Sequence, residues 1–446
     1  MSSWKKVTLE EISESINTGL DAIRRAPIVD FETDIKCLRI QDISQNKPIE
    51  SWGFTEVKNT DYSKFRLMKD DIIMARTCST GICFLAKQDL PAVFNNGLAR
   101  IRLKKDIAYP TYVYYVFKSK SFISYIDGIS GGTSVQLNMK IGDLSKYSFD
   151  LPPLNIQKEI ANKLSDLDKK IQLNTQINQT LEQIAQTIFK SWFIDFDPVH
   201  AKANALASGQ TLEQATQAAM AVISGKNTQE LHRLQTANPK QYQQLWEIAE
   251  AFPSGVDEEG VPWGWESKKV GEVAKIVKGK KPKLISSEPD DGFLPHILMA
   301  SLSGKYTEYA QIDKSIVCDI FDTLILMDGA ASGKIAIGHK GVIGSTFAKM
   351  ELSENKYWAL FNLFMFSKEQ DIQANTTGTS IPHTDKARVL DYEIIVPCDV
   401  VLNYFTEMYK NILCSILNQR KNSFILENIR DLLLPKLLSG EILNGN

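Results

Sequence analysis

Two long stretches of this chain share one apolar rhythm. After Pro152, the residues Ile160, Leu164, Leu167 and Ile171 recur at alternating steps of four and three. After Pro397, at an offset of 245 residues, Phe405, Tyr409, Ile412 and Ile416 repeat those steps. Leu181 and Leu426 continue both series, and a polar residue, Asn174 or Gln419, interrupts each at the same point. This spacing predicts the narrow seam of a coiled coil, not the broader face of a globular helix. Proline suits a helix entrance, where its missing N–H is no loss. A stretch of roughly 40 residues makes a rod of about 60 Å, and two such rods in one polypeptide can pair with each other. Asn174 and Gln419 either lie in the seam, where a polar residue gives up stability to fix register, or face solvent.

The segments ahead of each proline also repeat. Short β-like runs at 38–43, 71–76, 81–86 and 93–103 are set off by Gly, Asn and Pro, and an aromatic helical stretch follows at 111–126. The second segment keeps the order. Trp4, Leu9 and Ile12 match Trp265, Val270 and Val273; residues 70–74 through Gly81 match 322–326 through Gly333; 357–372 is again an aromatic helix. The aromatic helices read as core packing, with base stacking the lesser alternative. The predicted layout is a first head at 1–151, a helix at 152–199, a connector at 200–252, a second head at 253–396 and a second helix at 397–446. In the connector, 211–223 and 239–251 read as short helices, and 253–260 as an exposed linker.

Bulk properties exclude more than they suggest. A length of 446 residues and 43% hydrophobic content support several cored domains. A formal charge of -2 leaves no global basic excess, so any nucleic-acid surface must be local. Six cysteines without a CxxC pair read as reduced thiols. No apolar run spans a bilayer, and Met1–Lys6 carries no apolar leader, so a cytoplasmic location is expected.

Catalytic motifs fall short. The string from Gly329 to Ile335 resembles a phosphate loop but is one residue short and has Ile335 where a magnesium-binding hydroxyl belongs. Asp150-Leu151-Pro152-Pro153-Leu154 resembles the Asp-Pro-Pro-Tyr loop of amino-methyltransferases without its aromatic ring. Asp42, Glu56 and Lys58 form a loose nuclease-like set of a kind common by chance. Binding is the better expectation. Polar, glycine-bearing loops occupy equivalent places in both heads and supply candidate DNA contacts. In the mildly basic first head these are Arg24, Arg25, Arg76, Thr77, Ser79, Thr80, Asn96, Thr133, Ser134, Gln136, Asn138 and Lys140. In the second they are Lys278, Lys280, Lys281, Lys283, Ser332, Lys334, Thr379, Ser380, His383 and Lys386. Lysine near phosphates gives affinity without sequence information, whereas Arg, Asn, Gln and Ser can read base edges.

Several strings resemble one family. Leu151-Pro152-Pro153-Leu154-Asn155-Ile156-Gln157 through Ile160 is similar to the helix entrance of type I restriction–modification specificity subunits. Ser191-Trp192-Phe193-Ile194-Asp195-Phe196-Asp197-Pro198-Val199 resembles the close of that helix. Phe252-Pro253 with Gly260-Val261-Pro262-Trp263-Gly264-Trp265 resembles the entry to the second head, and the string from Leu433 to Gly440 resembles the family's C-terminal close. The second entrance departs, with Leu402 opposite Gln157. The resemblance implies an α+β chain: two mixed α/β target-recognition domains separated by two long helices that form an intramolecular antiparallel coiled coil. It implies a non-catalytic subunit that reads a bipartite site on double-stranded DNA. Its implied partners are two methyltransferase subunits and restriction/translocase subunits, which use S-adenosylmethionine, ATP and Mg2+. Rival readings are the specificity subunit of a fused methyltransferase–nuclease system, a stand-alone nuclease built on Asp42, Glu56 and Lys58, and a scaffold without DNA contact.

Overall fold

The computed structural model describes residues 4–130, 138–378 and 381–442. They fall into two compact units, Met1–Ile171 with Ile425–Asn446, and Gln172–Phe424. In the first unit an antiparallel sheet takes Ser13–Thr18, Leu98–Leu103, Ile72–Ala75 and Cys83–Leu85 in that order. A second sheet takes Ile28–Val29, Gly53–Thr55, Lys36–Leu38 and Ala92–Phe94, its last pair parallel. Side chains alternate along a strand, so the central one serves two cores. Ile72 and Met74 pack against helices, while Ile73 and Ala75 pack with Leu38, Val93 and Phe94 of the second sheet. The chain crosses between the sheets at Gly19, where a Cβ would lie 2.3 Å from the carbonyl oxygens of Phe94 and Asn95.

The second unit repeats this plan. Its antiparallel sheet takes Ala274–Lys278, Phe347–Leu352, Thr323–Leu326 and Ile335–Ala336. Its other sheet takes Ile285–Ser286, Tyr309–Gln311, Phe293–Ile297 and Gly341–Ile343, with Val317–Cys318 added at the edge. The third and fourth of these strands again run parallel. Gly279 stands where Gly19 does, with a Cβ position 2.3 Å from the Gly344 oxygen.

The ladders correct the repeat by one residue. Ala75 lies opposite Leu98, and Leu326 lies opposite Phe347. Met74 therefore corresponds to Ile325, not to Leu326 as the distance to Gly81 and Gly333 suggests. The packing agrees, since Met74 and Ile325 both face helices whereas Ala75 and Leu326 face the other sheet. One extra residue in the second turn hides this from glycine spacing, and a one-residue slip would turn every side chain to the wrong face.

Other expectations change locally. Within 38–43, strand Lys36–Leu38 gives way to helix Ile40–Ser44, because the buried Asp42 carboxylate accepts the Arg39 N–H at 2.9 Å and starts a helical turn. The stretch 93–103 divides between two strands around the turn at 95–97. The aromatic stretch 111–126 is two helices, Pro110–Val116 and Lys120–Ser130, while its counterpart Trp358–Ala374 is unbroken. Tyr112, Phe122 and Phe361 are fully buried, which places them in cores. Between 197 and 251 there are four helices, Asp197–Ala207, Leu212–Ser224, Thr228–Ala237 and Pro239–Ala251, where periodicity alone suggests two. Lys202 on the first is buried and donates to the carbonyls of Ala249, Glu250 and Phe252, closing the C-terminus of the last. Burial pushes that ammonium below its ordinary range.

The long helices are Leu154–Phe193 and Asp399–Leu438, and each contributes to both units. In the first unit Ile160, Ala161 and Leu164 pack with Leu434 and Leu437, and Asp168 accepts from Arg430 and Tyr115, each at 2.8 Å. In the second, Asn174 donates to Ser423 at 3.2 Å and Arg420 donates to Glu182 at 3.0 Å. Residue numbers fall along one helix as they rise along the other, so the pair is antiparallel. Ile160, Leu164, Asn174, Phe405, Tyr409 and Ile416 are buried; Leu167, Ile171, Leu181, Ile412, Gln419 and Leu426 are half-buried. The strings quoted for the resemblance prove to be packing elements. Phe193 lies 4.8 Å from Phe405 and 5.9 Å from Trp265 between ring centres, and Trp192 lies 5.3 Å from Phe252. Buried Gln157 accepts from Tyr109 N–H and donates to the carbonyls of Ile107 and Pro152, whereas Leu402 at the second entrance joins an apolar core. No helix among the described residues is long and apolar enough to cross a membrane.

Two outcomes follow from this packing. Gly19→Ala should destabilise the first head by about 1–3 kcal/mol or more, because backbone oxygens cannot retreat from the new methyl. Hydrogen exchange should show the loss of protection within residues 5–151 and leave 266–396 unchanged. The second concerns His339, buried beside the Tyr306 hydroxyl at 3.1 Å and pushed by burial from 6.5 to about 4. A neutral buried imidazole contributes stability above pH 6.5 that is lost progressively as pH falls toward 4. Melting curves across that window should fall less steeply for His339→Gln than for the wild type.

Candidate nucleic-acid interface

In the first head, strand Ile72–Ala75 runs into a turn that returns at Gly81 with φ +88°, a left-handed conformation suited to glycine. Arg76 opens the turn and clamps three loops. Its guanidinium donates to the Asn96 carbonyl at 3.0 Å, to Asn138 Oδ1 at 3.1 Å and to the Met139 carbonyl at 3.3 Å. Its backbone completes the junction, donating to Gly97 O and accepting from Met139 N–H. Thr77 bridges to Asn138 across this contact. Residues 76, 77, 96 and 138, distant in sequence, therefore share one loop cluster at the end of the sheet. Asn96, Asn138 and Lys140 are exposed; Thr77, Ser79 and Thr80 are half-buried. Arg24 is exposed, while Arg25 is held by Asp61 at 2.5 Å and lies over the Phe65 ring.

The second head has the same junction with different chemistry. Gly333 also has φ +88°, and Met327 replaces Arg76 as the residue that accepts from the returning strand, here from Thr384 N–H at 2.8 Å. The bridge corresponding to Thr77–Asn138 joins Asp328 to His383. The Asp328 carboxylate takes Lys278 Nζ and His383 Nδ1, each at 2.8 Å. Burial alone would raise this carboxyl, but hydrogen bonds from Lys278 and His383, with the charge of Lys278, outweigh it and hold it below the ordinary range. Lys278, Lys280, Lys281, Lys283, His383 and Lys386 are exposed. Ser332 is buried and donates to the carbonyls of Gly329 and Pro382, and Lys334 pairs with Glu369 at 2.7 Å. Both side chains are thus engaged in closing the turn, and the phosphate-loop likeness at 329–335 has no free hydroxyl or ammonium behind it.

Thr133, Ser134, Gln136, Thr379 and Ser380 lie outside the described residues. Asp328 was missing from the sequence candidates. The sequence repeat does not disclose it, since glycine spacing sets Thr77 opposite Gly329, and only the one-residue correction from the ladders sets it opposite Asp328. The nuclease-like set does not assemble around Asp42, whose carboxylate is buried and occupied by the Arg39 N–H and guanidinium.

Comparison with known proteins agrees with this geometry. Residues 1–183 and 262–399 match the family described as the type I restriction modification DNA specificity domain. The type I restriction enzyme HindI specificity subunit of Haemophilus influenzae is 30% identical, over 99% of this chain and 100% of that protein. The type I restriction enzyme MjaIX specificity subunit of Methanocaldococcus jannaschii is 25% identical, over 84% of this chain and 78% of its own. The crystal structure of a type I restriction-modification system S subunit from M. genitalium shares the fold, with a TM-score of 0.55 at 15% identity over 98% of this chain and 96% of that one. With two heads of one topology on paired long helices, and a match that extends over most of its length, this chain belongs to the type I restriction modification DNA specificity family.

Proposed function

We propose that the chain is the DNA sequence-specificity subunit of a type I restriction–modification complex, each head reading one part of a split target on double-stranded DNA. The observation that carries this reading is a single framework with two sets of loop chemistry. Gly19 and Gly279, and Gly81 and Gly333, hold equivalent places, while Arg76 with Asn138 in one head answers to Asp328 with His383 in the other. Exposed Lys280, Lys281 and Lys283 suit phosphates, and polar groups fixed by the fold suit base edges. Each long helix contributes to both units, and a helix pair of fixed length would hold constant an unread stretch of DNA. The chain contributes recognition and no chemistry. Two methyltransferase subunits and the restriction/translocase subunits assemble on it and use S-adenosylmethionine, ATP and Mg2+.

Mapping methylated adenines across the host genome tests this directly. A split motif should be present with the gene and vanish on its deletion; a motif that survives deletion rejects the reading. Exchanging residues 1–151 for another first head should then alter one half of the motif and preserve the other. Changes in both halves would contradict independent reading.

A further inference from the structure

Asn138 and His383 occupy one structural position, as the backbone shows independently of the side chains. Each bridges the residue after the strand-ending anchor, Thr77 or Asp328, and each is followed by a residue whose N–H is bonded to that anchor at 2.8 Å. In each case the protein engages one end of the side chain and leaves the residue exposed. The engaged ends are chemically opposite. Arg76 is only a donor, so the Asn138 oxygen faces it and the amide NH2 is left to donate. Asp328 is only an acceptor when ionised, so His383 Nδ1 carries the proton and, in the neutral ring, Nε2 is left with a lone pair. A polar group held at one end and presented at the other meets the needs of base readout, which requires a fixed direction as much as a hydrogen-bonding atom.

We propose that residues 138 and 383 are the paired specificity-determining positions of the two heads. Asn138 donates to a base acceptor, guanine O6 or N7, adenine N7 or thymine O4, and His383 accepts from an exocyclic amino group of adenine or cytosine. Arg76, Asp328 and Lys278 act through them as positioning residues. This assignment rests on the reading of the chain as a DNA-specificity subunit.

The test uses the complex purified from its host with the subunits that accompany the chain, and selection of bound duplexes from a random pool. His383→Ala should lose preference at one base pair in the half read by the second head, and Asn138→Ala at one base pair in the other half. Replacing the amino group at the His383-dependent base by hydrogen should weaken wild-type binding roughly five- to hundred-fold and leave His383→Ala nearly indifferent. Asp328→Asn, which keeps the shape but frees the imidazole tautomer, should relax preference at that same base pair. Unchanged preferences in both alanine variants beside a selective wild type would overturn this assignment alone. A guanine or thymine acceptor as the His383-dependent group would also overturn it. A wild-type complex with no split-site preference would overturn the parent reading as well.

Discussion

The antiparallel pairing of the two long helices is the constraint on which the molecule depends. Each helix gives one part to each unit, and polar contacts define the register where apolar contacts would tolerate sliding. The pairing is its own image under the repeat. Asn174 touches Ser423, and the 245-residue offset carries Asn178 onto Ser423 and Asn174 onto Gln419. The register that sets Asn174 against Ser423 therefore sets Asn178 against Gln419, the self-complementary logic of a two-fold interface. This layer is costly. Asn174 and Asn178 are buried, and the Oδ1 of each finds no partner among the described residues, a penalty of about 1–3 kcal/mol apiece unless water intervenes. Apolar residues here would add stability and loosen the choice of register.

Within each head the same economy appears in a different form. Close approach at Gly19 and Gly279, the turns at Gly81 and Gly333, and central strands buried on both faces leave little room for variation in the frame. Variation is accommodated at the sheet ends, where side chains meet solvent and the partners of one polar group can be exchanged as a set. Arg76 with Asn138, and Asp328 with Lys278 and His383, are two such sets.

Much of the fold was legible in the sequence because its signals are periodic. The 4-3-4 spacing identifies both long helices, and the paired prolines and glycines identify the duplication. What stayed hidden depends on contacts between distant residues. Glycine spacing misplaced the central strand by one residue because the extra residue of the second turn has no local signature. Asp42 turned a β-like run into a helix start through one hydrogen bond to its neighbour's backbone. The candidate site was legible as loops but not as roles: no local pattern says that Ser332 and Lys334 close a turn, that Arg25 belongs to Asp61, or that Asp328 orients His383.

If the helix pair is the element that spaces two readers, its length must be written into the DNA. Seven residues lengthen a helix by about 10 Å, comparable to about three base pairs of duplex. The most direct measurement is the methylated motif of a host whose chain carries one added heptad in each long helix. The account predicts both half-sequences unchanged and a longer unread stretch between them. An unchanged stretch, with methylation intact, would contradict it.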